Sequence, residues 1–253
     1  AAKLGSSVGV SESTVVRFAI ELGFSGYPSL QKSLQELIKN KLTTVQRLDL
    51  SNDYICNGYT LKGVLKADME NIRATMEKIN YSTFEDVINN IFEAKRIYIV
   101  GLRSSMALAE FLGFYLNVIL QNVKTVGYGI SDIFEEMINV GEGDLVIGIG
   151  FPRYANRTID VLSFAQDRGA TVVALTDSIV SPLAQRADYA LIAQSNMASF
   201  VDSLVAPLSV INALIIAVGL RQKESVSTTF NSLEEIWKEY NVYSYNHNND
   251  DEF

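Results

Sequence analysis

The chain has one cysteine and one histidine, and only four prolines and one tryptophan in 253 residues. A lone cysteine, Cys56, rules out an intrachain disulfide and a cysteine-based zinc cluster, and it fits a reducing compartment such as the cytoplasm. No neighbour in sequence would activate its thiol. The lone histidine, His247, sits in the Asn- and Asp-rich tail Tyr245 to Glu252, whose composition predicts disorder. Histidine acid–base chemistry and His-rich metal sites are therefore not expected, and neither is a cofactor. Long apolar runs are scarce as well. Leu204 to Leu220 falls short of the about 20 residues a membrane span needs, and it contains Pro207, Ser209 and Asn212. It predicts a buried or subunit-interface helix and no membrane partner. There are no internal repeats.

Hydrophobic residues make up 48% of the chain, enough for a full core in one or two domains. The net charge of −8 is unevenly placed. Through Arg47 the bases Lys3, Arg17, Lys32, Lys39, Lys41 and Arg47 face only Glu12, Glu21 and Glu36, a balance of +3 that leaves −11 on the remainder. A basic first segment on an acidic body suits a nucleic-acid-binding module joined to a small-molecule-binding domain.

Within that first segment, Ser11 is placed to cap a helix, and Thr14 stands three positions on without the Glu or Gln of a capping box. Val15, Phe18, Ala19 and Leu22 recur at helical spacing, which predicts one apolar face. Ser13, Thr14 and Arg17 project elsewhere near the helix start, and short hydroxyls with an arginine suit phosphates and base edges. Upstream, Ala1 to Leu4 reads as the end of a helix and Gly5 to Val10 as a turn, giving helix, turn and helix in order. The chain starts without Met and inside this motif, so a preceding segment is expected to be missing and DNA binding by the present chain to be poor. Pro28 to Lys41 predicts a further helix, with Leu30, Leu34, Leu37 and Ile38 on its stripe and Lys32 off it. Thr43 to Thr60 reads as a linker, and Leu61 to Ile79 and Thr83 to Ala94 as helices.

From Arg96 the pattern changes to short apolar runs separated by helical stretches: Ile97 to Val100, Val123 to Val126, Leu145 to Ile149, Thr171 to Leu175 and Tyr189 to Ile192. This predicts an α/β fold with a five-stranded, mostly parallel sheet and helices on both faces. Ligands of such sheets bind beyond the carboxyl ends of the strands. After the first strand, Arg103, Ser104 and Ser105 precede a helix whose N-terminus favours anions. After the third come Pro152, which stiffens a turn, Arg153, a fork for phosphate or carboxylate, and Tyr154, which either covers a ligand or packs. Thr176, Asp177 and Ser178 follow the fourth strand, where turn chemistry explains them as well as ligand contact does.

Ser11 to Phe18, Leu22-Gly23-Phe24 and Gly26-Tyr27 resemble the helix-turn-helix of the RpiR/MurR family of bacterial transcriptional regulators. Gly101 to Ser105, Gly141 to Asp144, Arg168 to Ala170, Leu175 to Ser178 and Ser181 to Leu183 resemble that family's sugar isomerase (SIS) domain, with its flavodoxin-like sheet. The resemblance implies a non-enzymatic regulator, homodimeric or tetrameric, which binds operator DNA and whose SIS domain takes a phosphorylated sugar or sugar-acid effector. Ser11, Ser13, Thr14 and Arg17 match its DNA-facing positions, with Lys32 added as a further cation. Ser104 and Ser105 match its first phosphate loop. Where many SIS domains carry Ser-x-Ser-Gly-x-Thr, this chain has Gly150-Phe151-Pro152-Arg153-Tyr154, so those hydroxyls are lost. Arg153 suits a phosphate or a carboxylate. The expected organisation is a partial helix-turn-helix over 1–45, a linker and connecting helix over 46–82, an SIS domain over 83–225, and a C-terminal helix and tail over 226–253. The alternative is a phosphosugar isomerase or lyase with Glu135 or Glu136 as base.

Overall fold

The computed structural model describes residues 1–31, 34, 42–48, 60–127, 132–197 and 199–244. Lys32, Cys56, His247 and most of the predicted helix from Pro28 to Lys41 lie outside the described residues. The chain divides into two compact units, one of residues 1–69 with 196–203, the other of 70–195 with 204–253.

In the first unit, α1 (Ala2–Val8) ends at Gly9 in the left-handed region, and α2 (Glu12–Glu21) starts from Ser11. The helix-turn-helix order holds, but the turn is shorter than the sequence suggested, because Gly5 is a buried residue inside α1. Val15 and Ala19, one turn apart, are the buried positions of α2, whereas Phe18 and Leu22 are exposed. The contact face of α2 is thus narrower than the apolar pattern predicted. Two polar contacts bring residues 196–203 into this unit. Asp202 pairs with the buried Arg47 at 3.0 Å, and the Ser203 hydroxyl donates to Asp68 at 2.6 Å.

The helix α3 (Thr60–Lys78) begins in the first unit and ends in the second. There α4 (Tyr81–Glu93), capped by Asn80, leads to β1 (Ile97–Gly101), α5 (Ser105–Leu120), β2 (Val123–Val126), the short α6 (Ile133–Glu136) and β3 (Leu145–Ile149). Next come α7 (Asn156–Asp167), β4 (Thr171–Thr176), β5 (Tyr189–Ile192), α8 (Val205–Arg221) and α9 (Lys223–Glu239). The sheet has the order β2-β1-β3-β4-β5, and every pairing is parallel, so the predicted mostly parallel sheet is wholly so.

All five residues of β1 and of β3 are buried, as expected of central strands covered on both faces, where side chains pointing either way must be apolar. One face packs Val87, Ile88 and Ile91 of α4, Leu108, Leu112 and Leu116 of α5, and Val210, Ile211 and Leu214 of α8. The other packs Ile133, Met137, Val161, Leu162 and Ala165. The apolar run from Leu204 is therefore a helix packed on the sheet by one side. Among the described residues no single helix is long and apolar enough to cross a membrane.

Candidate functional site

The strand order reverses direction between β1 and β3, since β2 lies to one side of β1 and the remaining strands to the other. Loops leaving such neighbours run to opposite faces and open a crevice at the carboxyl edge of the sheet. The register makes the two exits level, with Gly101 paired to Ile149, Ile149 to Leu175, and Thr176 to Ile192.

Two arginines mark this edge, and both have left-handed backbones, Arg103 at φ 58° and Arg153 at φ 64°. Non-glycine residues are held there at a cost of about 1–3 kcal/mol, and such strain gathers at ligand clamps. Both are exposed. Among the described residues the Arg103 guanidinium has no hydrogen bond or ion pair. Ser104 is the N-cap of α5 but makes no capping bond with its side chain, which leaves its exposed hydroxyl available, whereas Ser105 is buried. The N–H groups of Ser105 and Met106 turn back onto the carbonyls of Leu102 and Arg103, at 3.2 and 3.1 Å. An anion here would therefore rely on Ser104 and Arg103 beside the helix dipole. The close approach of α5 to β1 depends on Gly101, where a Cβ would stand 2.6 Å from the Ser105 carbonyl oxygen.

On the far side of the crevice the polar residues are tied to one another. The Tyr154 hydroxyl donates to Asp177 Oδ1 at 2.7 Å, and the fully buried Thr176 donates to the same oxygen at 3.2 Å. Thr176 thus serves to hold Asp177, and Tyr154 is anchored over the strand end. Gln194, two residues past β5, donates from Nε2 to the Asp177 carbonyl at 3.2 Å. The sequence left Asp177 open between ligand contact and turn chemistry, and it did not single out Gln194.

Glu135 and Glu136, the conceivable bases, are both committed. Glu135 completes a capping box by accepting from the Asp132 N–H at 3.1 Å, and Glu136 pairs with Lys124 at 3.4 Å. Arg157 pairs with Asp132 at 3.4 Å and stacks over Phe134. Among the described residues no cluster of three His, Cys, Asp or Glu side chains could hold a metal ion. Among the described residues, Arg96 and Tyr98, towards the amino end of β1, depart from their ordinary pKa values. Arg96 is raised by its hydrogen bond to the buried Asp144, and burial pushes the Tyr98 phenol up.

At the α2 start, the Ser11 hydroxyl accepts from the Thr14 N–H at 3.2 Å and lies 2.8 Å from both the Ser13 and the Thr14 hydroxyls. These three side chains and Arg17 are exposed. Of the predicted DNA-facing residues, Ser11, Ser13 and Thr14 thus gather at the start of α2 with Arg17 in its second turn, while Lys32 lies outside the described residues.

A capped helix-turn-helix ahead of a parallel sheet with a cationic crevice at its switch point defines a two-part chain: a DNA-reading type of motif followed by a sugar-isomerase type of domain. Comparison with known proteins agrees. Residues 90–217 match the SIS domain, residues 1–41 match the helix-turn-helix domain of the rpiR family, and the chain belongs to the RpiR family of helix-turn-helix regulators with an SIS domain. An uncharacterized HTH-type transcriptional regulator of Haemophilus influenzae is 28% identical over 188 residues, which cover 72% of this chain and 64% of that protein. The chain thus spans less than two thirds of that relative. The sugar isomerase domain of an RpiR transcription factor from Sphaerobacter thermophilus is 29% identical, with a TM-score of 0.67, over 70% of this chain and 99% of that one. The Vibrio vulnificus NanR protein complexed with ManNAc-6P shares the fold at a TM-score of 0.59 and 20% identity, over 93% of this chain and 84% of that one.

Proposed function

We propose that the chain is a DNA-binding transcriptional regulator of sugar or carbohydrate metabolism whose SIS domain binds a phosphosugar or sugar-acid effector that alters operator binding. The observation that carries this reading is the pair of left-handed arginines at the sheet's switch point, in a chain whose other end is an rpiR-type helix-turn-helix. Ser11, Ser13, Thr14, Arg17 and Lys32 contact operator DNA, from within residues 1–45. Arg103, Ser104 and Arg153 hold the anionic group of the effector, Ser105 shapes the helix start beneath it, and Tyr154 and Thr176 set the rim. These belong to the effector domain over 83–225, with 46–82 connecting. The structure of NanR with ManNAc-6P supports a phosphosugar as the first class to try. The commitment of Glu135 to a cap and of Glu136 to an ion pair supports a non-catalytic role over isomerase or lyase chemistry.

The protein works as a homodimer or tetramer in the cytoplasm. Exposed Phe114 on α5, Ile216 and Leu220 on α8, and an apolar groove of about 520 Å³ among Ile72, Met76, Phe84 and Val210 support self-association. The test is a thermal-shift screen of sugar phosphates and sugar acids, followed by mobility shifts on the DNA upstream of its own gene. A stabilising compound that changes salt-sensitive DNA binding is expected. Turnover of a sugar phosphate, lost in Glu135→Gln or Glu136→Gln, would overturn the reading.

A further inference from the structure

Gln194 joins three elements. Its side-chain Nε2 donates to the Asp177 carbonyl at 3.2 Å, its backbone N–H donates to Thr75 Oγ1 at 2.8 Å, and its Oε1 accepts from Lys78 Nζ at 3.5 Å. Thr75 is buried, and its hydroxyl donates a hydrogen bond to the Asn71 carbonyl at 2.8 Å. With the bond from Tyr154 to the Asp177 carboxylate, a series of hydrogen bonds, joined covalently through Asp177 and Gln194 themselves, runs from the residue beside Arg153 to the last two turns of α3. Thr75 is 119 residues from Gln194, so this is tertiary wiring and not turn chemistry. Both chain exits from this spot lead to the unit that carries the helix-turn-helix. The first half of α3 belongs to it, and so do residues 196–203, which begin two positions after Gln194. Within that unit the same two stretches meet again, at Ser203 and Asp68.

We propose that Gln194 is the coupling residue of the molecule: it ties the position of the loop after β3 to α3, so that occupancy of the crevice is transmitted to the helix leading to the DNA-reading segment. The proposal rests on the effector reading of the crevice. Its physical content is local. An anion drawn to Arg153 displaces the adjacent Tyr154, Asp177 loses a donor, and the bonds that Gln194 makes to Asp177, Thr75 and Lys78 loosen or shift together. Gln194 touches no effector itself and acts by position.

The test needs neither effector nor DNA, so its failure is separable from failure of the effector reading, which the thermal-shift screen decides. Amide hydrogen exchange is followed by mass spectrometry on the full chain for wild type, Tyr154→Phe, Gln194→Ala and the double variant. Tyr154→Phe should speed exchange in peptides covering 70–78 by about fivefold, the effect of one lost hydrogen bond on a local opening equilibrium. Gln194→Ala should do the same, and the double variant should add nothing further, because both cut one chain. Asp144→Asn, on the far edge of the sheet, is the control that should leave 70–78 unchanged. Thr75→Val, which keeps shape and removes the acceptor, replaces Gln194→Ala should that variant not fold. Unchanged exchange at 70–78 in Tyr154→Phe, additive effects in the double variant, or equal acceleration in Asp144→Asn would overturn the proposal.

Discussion

Arg103 and Arg153 hold a backbone conformation that asparagine tolerates better than arginine. For Arg103, whose side chain has no partner among the described residues, Arg103→Asn should leave urea stability unchanged or raise it by up to about 1 kcal/mol, while weakening anion-induced thermal stabilisation. A loss of stability in that variant would instead make the guanidinium structural. At Gly101 the constraint runs the other way. The atom a Cβ would strike is a backbone carbonyl, so Gly101→Ala must move α5, and urea unfolding should show a cost of about 1–3 kcal/mol. Gly148→Ala meets the Leu162 side chain and no backbone atom, and should cost less. The buried phenol of Tyr98 gives a pH prediction. Its pKa is raised above the ordinary 10.0 in the folded state, so the unfolded chain ionises first. The associated stability is present below about pH 10 and is lost as pH rises through the folded value. Tyr98→Phe should flatten the alkaline limb of the stability curve.

Among the elements, α2 carries the clearest local instructions. The Ser11 cap was readable from sequence because capping depends on neighbours in the chain, and Ser11→Ala should reduce the stability of that helix by about 1 kcal/mol, read by exchange in residues 12–21. The exposure of Phe18 was not readable, since it depends on which faces α1 covers. The strands were legible almost to the residue, because a parallel sheet buried on both faces demands unbroken apolar runs closed by glycine or polar residues. The same reading looked for a ligand at the loops after the first, third and fourth strands, and these loops leave the carboxyl edge of the sheet. It could not see that Thr176 and Tyr154 converge on Asp177, or that Gln194 reaches α3. Apart from the bond between the neighbours Thr176 and Asp177, those contacts link residues 17 to 119 positions apart and leave no periodic trace.

At the level of the whole molecule, the assignment of residues 196–203 to the first unit was also hidden, because a short segment between β5 and α8 has no composition of its own. Self-association is open to a direct check. Light scattering should give at least twice the chain mass, and Ile216→Glu with Leu220→Glu should reduce it, since a charge on an apolar interface is left without solvent. DNA binding belongs to this scale too. Replacing Arg17 by Ala should weaken binding and lower the slope of log affinity against log salt by about one, as expected for one lost phosphate contact.

The most direct test of the regulator reading is a fluorescence-anisotropy titration of the full chain onto DNA upstream of its own gene, at two salt concentrations, with and without the compound that most raises its melting temperature. Salt-sensitive binding that this compound shifts in wild type, and no longer shifts in Arg153→Ala, is the predicted result. Binding that the compound leaves unchanged in wild type would contradict it.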